Sequence, residues 1–76
     1  MKYNKIEALL KLKGLNLTLY AKHCGVVIQQ IVNKKKNDSF KADDLIQLAE
    51  LTNTKLCFID EKGDILISFN SDDLSK

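Results

Sequence analysis

Three consecutive lysines, Lys34, Lys35 and Lys36, close a segment of mixed apolar and polar residues that starts near Asn16. Cationic side chains at the end of a helix can neutralise the phosphates of a nucleic acid. The segment predicts two short helices joined by a tight turn at Gly25, because glycine adopts a positive φ without a steric clash. A helix presented on another helix and followed by cations has a shape that can enter a nucleic-acid groove.

The charges are divided unequally along the chain. Residues 1–36 contain eight lysines and one acid, a net charge of +7, whereas residues 37–76 contain four lysines and nine acids, a net charge of −5. Such a chain attracts a polyanion with one half and holds the other half away from it. The alternative is two solvated surfaces of opposite sign. The division matters because the basic half contains the predicted helical pair.

Other side chains that can carry chemistry are scattered. His23 and Cys24 are adjacent, but a structural zinc site takes four ligands. Cys24 and Cys57 are expected to be ordinary, partly buried thiols in a reducing compartment. No nucleophile, base and orienting group occur at a useful spacing. We therefore expect no enzymatic activity, no metal site, no cofactor and no small-molecule ligand.

Length and composition predict one folded domain covering residues 1–76. The chain is 45% hydrophobic and contains no proline, which favours a helix-rich fold over disorder. No stretch approaches the roughly 20 apolar residues of a membrane span. The first ten residues carry charges inside their apolar run, unlike a secretory signal. We expect a cytoplasmic protein without membrane contact.

The spacing of apolar residues predicts a mainly α fold. Asn4 and Glu7 resemble a capping box at the start of the first helix, and Asn16 can cap the second helix through its side-chain oxygen. Phe40, just before the last helix, is the expected core anchor. The predicted helices cover residues 5–13, 17–24, 27–35 and 41–52.

The last third of the chain predicts a β-hairpin at residues 55–69, with Gly63 in its loop. Two strands alone are marginally stable in water, so the hairpin must lie on the helices. Both of its faces are apolar, and a homodimer is the simplest partner for the second face or an open edge. The alternative is a hairpin wrapped deeply enough to hide both faces. Residues 70–76 predict a frayed polar tail. The expected dimer contacts are Phe58, Ile65, Ile67 and Phe69.

Apolar, small and polar residues follow one another at a fixed spacing in the middle of the chain: Leu15, Asn16, Tyr20, Ala21, Gly25, Val26, Gln29, Ile31 and Asn33, then residues 39–40 and 43–46. This register, over residues 6–51, resembles the phage-repressor and Cro type of helix-turn-helix domain, the XRE-like class. The hairpin that follows is similar to the ending of many small phage or mobile-element regulators. The resemblance implies a four-helix, lambda-repressor-like DNA-binding domain followed by a two-stranded antiparallel hairpin.

The same resemblance implies a sequence-specific transcriptional regulator that binds double-stranded DNA as a homodimer, on a palindromic operator. Its third helix would enter the major groove with Gln29, Asn33 and Lys36 on the groove-facing side. Lys34, Lys35 and Lys36 could neutralise phosphates. Glutamine and asparagine can bond adenine, and the chain has no arginine for the favoured contact to guanine, so an A·T-rich target is expected. The full set of expected DNA contacts is Leu17, Thr18, Val27, Ile28, Gln29, Gln30, Val32, Asn33, Lys34, Lys35 and Lys36.

Four of these expected contacts depart from the family, which usually has polar residues there. Leu17, Val27, Ile28 and Val32 are aliphatic. An aliphatic side chain can touch a thymine methyl group but cannot satisfy a hydrogen-bonding base edge. The alternative hypothesis is therefore a protein-interaction or dimerisation module that retains the fold without specific DNA binding. Leu17 and Ile28 lie near helix starts and can also turn inward.

Overall fold

The computed structural model describes residues 2–75, apart from the side chain of Lys2, and is mostly helical. The predicted four helices and antiparallel hairpin are confirmed. Within the described range, no helix is long and apolar enough to cross a membrane. The elements are α1 (Lys2–Leu12), α2 (Leu17–Cys24), α3 (Ile28–Asn37), α4 (Ala42–Leu51), β1 (Leu56–Ile59), β2 (Ile65–Phe69) and a 3₁₀ helix (Ser71–Asp73).

The hydrophobic core lies among the four helices. Phe40 stacks on two tyrosines, with its ring centroid 6.2 Å from that of Tyr3 and 6.5 Å from that of Tyr20. The prediction of Phe40 as a core anchor is confirmed, and aromatic contacts of this kind add to the stabilisation from buried area. The buried apolar residues are Tyr3, Ile6, Leu10, Tyr20, Ala21, Ile31, Phe40, Ile46, Leu48 and Ala49.

Helix α1 begins earlier than predicted, and the predicted cap at Asn4 is wrong. Asn4 lies inside the first turn of the helix. The Tyr3 hydroxyl donates to Glu7 Oε2 at 3.0 Å, so the carboxylate serves a side chain one turn earlier rather than the backbone of Asn4. Tyr3 is buried against Phe40, and this packing draws Lys2 and Tyr3 into the helix.

The turn between α2 and α3 follows the sequence prediction. The side chain of Asn16 accepts the backbone N–H of Leu19 at 2.9 Å and so caps α2. Gly25 ends α2 in the left-handed conformation with φ of 75°. The backbone N–H of Val26 then donates to the carbonyl of Ala21 at 3.0 Å, which satisfies a carbonyl that the end of the helix would otherwise leave unpaired.

The hairpin is antiparallel, as predicted. Leu56 is opposite Phe69 and Phe58 is opposite Ile67, and a bulge follows between Phe58 and Ile59. In the loop, the Asp60 carboxylate accepts two backbone N–H groups at 2.9 and 3.0 Å. Gly63 has a φ of 89°, the conformation that the sequence predicted there. Strand β1 contacts α4, which attaches the hairpin to the helices.

The segment after the hairpin is ordered by specific hydrogen bonds. Asn70 caps the 3₁₀ helix through its side chain, which accepts a backbone N–H at 2.9 Å. The backbone N–H of Ser75 donates to Asp43 Oδ2 at 3.1 Å, which ties this segment to the first turn of α4. The prediction of a frayed tail is therefore wrong for residues 70–75, and Lys76 lies outside the described residues.

Candidate nucleic-acid interface

Helix α3 is fixed to the rest of the chain on one side only. Ile31 is its one buried side chain, and it is fully buried in the core. Val32 and Lys34 are half-buried, and the other seven residues of the helix are exposed. A ten-residue helix is therefore held mainly by its middle and presents most of its circumference to solvent.

The residues expected to contact DNA differ in how much of their surface is exposed to solvent. Leu17 is half-buried and packs against the core, so it turns inward at the start of α2. Val27 and Ile28 do not turn inward, because 65% and 44% of their surfaces remain exposed. The other exposed members of the expected set are Thr18, Gln29, Gln30, Asn33, Lys35 and Lys36.

Gln30 has a structural task at the start of α3. Its side-chain oxygen accepts the backbone N–H of Val27 at 3.3 Å. Val27 occupies the N-cap position with an extended backbone, and valine has no side-chain acceptor to offer the helix. Gln30 therefore supplies half of a capping box at a position where the usual cap residue is missing. The side-chain carbonyl oxygen of Gln30 is therefore occupied by the hydrogen bond from the Val27 backbone.

Gln29 and Asn33 form a polar pair on the exposed surface of α3. Nε2 of Gln29 donates to Oδ1 of Asn33 at 3.1 Å, and the two residues are four apart in the helix. Such amide pairs stabilise a helix by only about 0.2–0.5 kcal/mol. Their larger effect here is orientation, because the bond holds the Gln29 amide against the neighbouring turn.

The three consecutive lysines have three different surroundings. Lys34 Nζ lies 2.7 Å from Asp44 Oδ1, an ion pair between α3 and α4. Lys35 Nζ lies 4.7 Å from the centroid of the Tyr3 ring, a cation–π contact that joins α3 to α1. Lys36 is exposed at the end of the helix. Only part of the charge in this lysine run is therefore directed to solvent.

Sequence reasoning missed the structural role of Asp44. One carboxylate oxygen bonds Lys34, and the other accepts the backbone N–H of Lys41 at 2.8 Å, capping α4. The Asp44 side chain is only 11% exposed, so both of these contacts are largely shielded from solvent. The available signal was its position three residues after Lys41, where a carboxylate can reach back to the cap.

A second polar contact joins α2 to α4 at the same place. The Tyr20 hydroxyl donates to the backbone carbonyl of Asp44 at 2.6 Å. Burial raises the pKa of Tyr20 well above its ordinary value, and nearby Cys24 and Asp44 raise it further. Tyr20 therefore stays protonated and keeps this hydrogen bond through the neutral and mildly alkaline range.

The two side chains of α2 that could be reactive, His23 and Cys24, both interact with other residues of the fold. Burial, followed by the charge of Asp44, raises the pKa of the Cys24 thiol, while Lys34 acts in the opposite direction. A thiol held protonated is a weak nucleophile. His23 Nε2 lies 3.2 Å from Glu50 Oε1, so the imidazole pairs with α4. Across residues 2–75, no three acidic, histidine or cysteine side chains come close enough to hold a metal ion.

The hairpin exposes a group of apolar side chains that we call the hairpin patch. Each member has more than half of its surface exposed: Phe58, Ile59, Ile65, Leu66 and Ile67. The patch includes three of the four expected dimer contacts. The fourth, Phe69, is half-buried and packs edge-on against Phe58 with 6.1 Å between ring centroids. A cavity of about 300 Å³ beside these rings extends to Ala42 and Leu45 of α4.

Comparison of the chain with models of protein families, with curated proteins and with solved structures gave no match.

Proposed function

We propose that the chain is a sequence-specific DNA-binding transcriptional regulator of the phage-repressor and Cro type, with a lambda-repressor-like fold. The observation that carries the proposal is the way α3 is attached to the rest of the protein. One fully buried residue, Ile31, anchors the helix, while Gln29, Asn33 and Lys36 are exposed along its length. The major groove of DNA admits an α-helix, and a helix held in this way can enter it without unfolding.

The charges of α3 support contact with the DNA backbone. Lys36 is exposed at the end of the helix, and Lys35 is exposed although its ammonium lies over the Tyr3 ring. Lys34 is half-buried and bonds Asp44. It can bind a phosphate only if its ammonium group leaves the Asp44 carboxylate. We therefore assign the main phosphate contact of this run to Lys36.

The proposed DNA-bound form is a homodimer on a palindromic operator. The hairpin patch supplies a self-complementary surface, because two copies related by a twofold axis can each cover the other's apolar side chains. Its two strands also have unpaired outer edges that a second hairpin can extend. In this arrangement Phe58, Ile65, Ile67 and Phe69 lie at the subunit interface, and the two α3 helices read successive half-sites.

The test is selection of duplexes from a randomised pool by the purified chain, at salt concentrations of about 50 and 200 mM. The expected result is a palindromic motif with half-sites about one helical turn apart, bound much more weakly at the higher salt. Gln29→Ala should lose preference for the motif more than bulk affinity for DNA. The matched control is Gln47→Ala on α4, which should select the same motif. Recovery of no motif, with an affinity that does not respond to salt, would reject the proposal.

A second candidate function is a protein-interaction or dimerisation module. The observation that favours it is the exposure of Val27 and Ile28 at the start of α3, where a DNA-reading helix gains from polar side chains. Val27→Asp separates the two candidates. For the regulator it should weaken DNA binding and leave self-association in sedimentation unchanged. For the module it should abolish self-association or the capture of a protein partner.

A further inference from the structure

We propose that residues 70–75 form a strap that withholds Lys34 from phosphate, because the closed strap shields the contact between Lys34 and Asp44 from solvent. The inference rests on the proposed DNA-binding function and concerns its regulation. While the strap is closed, Lys36 is the main phosphate contact of the lysine run. When the strap opens, Lys34 becomes a second contact, so the affinity of the chain for DNA depends on the state of the strap.

The strap is attached to the helices near residue 75. The backbone N–H of Ser75 donates to Asp43 Oδ2 at 3.1 Å, in the first turn of α4. Leu74 is half-buried. It lines a cavity of about 210 Å³ together with Cys24 of α2 and Lys34 of α3. The 3₁₀ helix within the strap also contacts α4. The strap therefore forms one wall of this cavity, and α2, α3 and α4 form the others.

The ion pair between α3 and α4 lies in the lining of the same cavity. Lys34 Nζ is 2.7 Å from Asp44 Oδ1, and the two side chains are 31% and 11% exposed. Separating a shielded ion pair is costly, because each charge loses its partner in a place where water cannot replace it. An exposed pair contributes little and exchanges partners readily. Opening the strap would admit water to this pair, so that Lys34 can exchange Asp44 for a phosphate.

The strap can open while the core stays folded. Two of its hydrogen bonds join Asn70 to Asp72 and Asp73, so they lie within the strap and persist in the open state. The hydrogen bond that attaches it to α4 is exposed to solvent, and Leu74 is only half-buried. Segments with few buried apolar contacts open locally at a low free-energy cost. Substitutions at this attachment are therefore sufficient to release the strap.

The variant that releases the strap, called the release variant, combines Leu74→Ala with Ser75→Pro. Proline has no backbone N–H, so the bond to Asp43 is lost. Residue 74 already has the extended backbone that a residue before proline requires, with φ of −68° and ψ of 140°. The matched control is Ser71→Pro, because proline is favoured at the first position of a helix. Asp43→Ala removes the same hydrogen bond from the side of α4 and should act in the same direction as the release variant.

Chemical labelling followed by mass spectrometry measures strap opening without DNA. Cys24 lines the cavity, so its alkylation by iodoacetamide reports access from solvent. Loss of one hydrogen bond shifts an equilibrium about fivefold, so Cys24 should be alkylated at least about fivefold faster in the release variant. Lys34 should be acetylated faster by acetic anhydride. The internal controls are Cys57 in the hairpin and the exposed Lys36, whose labelling rates should not change.

DNA binding measures the consequence for affinity. On a duplex selected by the parent chain, the slope of log affinity against log salt concentration should become steeper by about 0.9 per subunit in the release variant, which is the contribution of one phosphate contact. Adding Lys34→Gln to the release variant should return the slope to the parent value. Glutamine keeps an N–H donor for Asp44. Lys34→Gln alone should leave the slope unchanged, because the closed strap already withholds Lys34.

The outcomes separate the inference from the function on which it rests. Unchanged labelling of Cys24 and Lys34 in the release variant overturns the inference, whether or not the chain binds DNA. An unchanged salt slope overturns it as well, and so does a steeper slope that persists with Lys34→Gln, while DNA binding remains established. If the parent chain selects no duplex, the proposed function is rejected, and faster labelling of both residues still supports the shielding of Lys34 by the strap. Faster labelling together with a slope increase that requires Lys34 supports both.

Discussion

The helical part of the chain fully or partly buries most of its large apolar side chains, whereas the hairpin leaves most of its own exposed to solvent. Among the four helices, apolar side chains are buried together, and Asp44 has partners on both carboxylate oxygens. Within the described residues, no buried side-chain polar atom lacks a hydrogen-bond partner. In the hairpin, five large apolar side chains remain more than half exposed. The helices therefore contain their own stabilising contacts, whereas the hairpin leaves large apolar side chains in contact with solvent.

This difference indicates a division of tasks. A core that is complete within one chain can hold α3 in a fixed orientation even when the protein is monomeric. A two-stranded hairpin is marginally stable alone, and a patch of exposed aliphatic and aromatic residues is typical of an interaction surface. The comparison leads to four predictions, which differ in how much they change the free energy of unfolding.

The largest expected effect is that of Asp44→Ala in the helical part. The substitution removes the partner of Lys34 and the cap of α4 together, so it should destabilise the chain by about 3 kcal/mol. Urea unfolding followed by far-ultraviolet circular dichroism measures this. The matched control is Asp64→Ala in the exposed hairpin loop, which should change stability by less than about 0.5 kcal/mol. Equal effects of the two substitutions would show that the helices do not depend on this buried contact.

Tyr20→Phe should have a smaller effect in the same region, about 1 kcal/mol, because it removes one buried hydrogen bond to the Asp44 carbonyl. Its pH dependence is more specific. Burial and then the neighbouring Cys24 and Asp44 raise the pKa of Tyr20 in the folded chain. The folded state therefore holds this proton more tightly than the unfolded state.

The resulting contribution is fully present below the ordinary tyrosine pKa of about 10 and is lost as the pH rises through the folded pKa. Unfolding free energy should fall above about pH 10 in the parent chain and fall less steeply in Tyr20→Phe. Urea titrations at several alkaline pH values measure the slope. Because the chain has two tyrosines and no tryptophan, phenolate absorbance also reports Tyr3 and Tyr20 directly. Identical slopes in parent and variant would contradict the prediction.

The sequence predicted the features of the fold that depend on neighbouring residues, and it failed for features that depend on distant ones. Local rules identified the Asn16 cap, the left-handed turn at Gly25 and the hairpin glycine, because each depends on residues a few positions apart. The start of α1 was wrong because it depends on packing of Tyr3 against Phe40, which is distant in sequence. The order of residues 70–75 was also missed, since it depends on a contact with α4.

The candidate site shows the same limit. The family resemblance implied that Gln29, Asn33 and Lys36 lie on one side of α3, and all three are exposed there. It could not distinguish Lys34 from Lys36, because the difference is made by Asp44 on another helix. Nor could spacing show that Leu17 turns inward while Ile28 stays exposed. Those outcomes depend on how neighbouring helices approach each other.

In the hairpin, Ile67→Lys should change the stability of the single chain by less than about 0.5 kcal/mol, since Ile67 is 58% exposed there. The same substitution should weaken self-association at least about tenfold, because a lysine in the interface must lose its hydration. Sedimentation equilibrium measures the association. The matched control, Leu12→Lys, adds the same charge at an exposed position on α1 and should leave association unchanged. Loss of the dimer in the control alone would place the interface on the helices.

The smallest effect on stability is expected for Lys36→Gln, which should leave unfolding within about 0.5 kcal/mol of the parent because the residue is exposed. Its effect on DNA binding is measurable all the same. Each phosphate contact contributes about 0.9 to the slope of log affinity against log salt concentration, so the substitution should lower that slope by about 0.9 per subunit. Lys62→Gln, in the acidic hairpin loop, removes the same charge and should leave the slope unchanged. If both substitutions lowered the slope equally, DNA binding would depend on net charge rather than on α3.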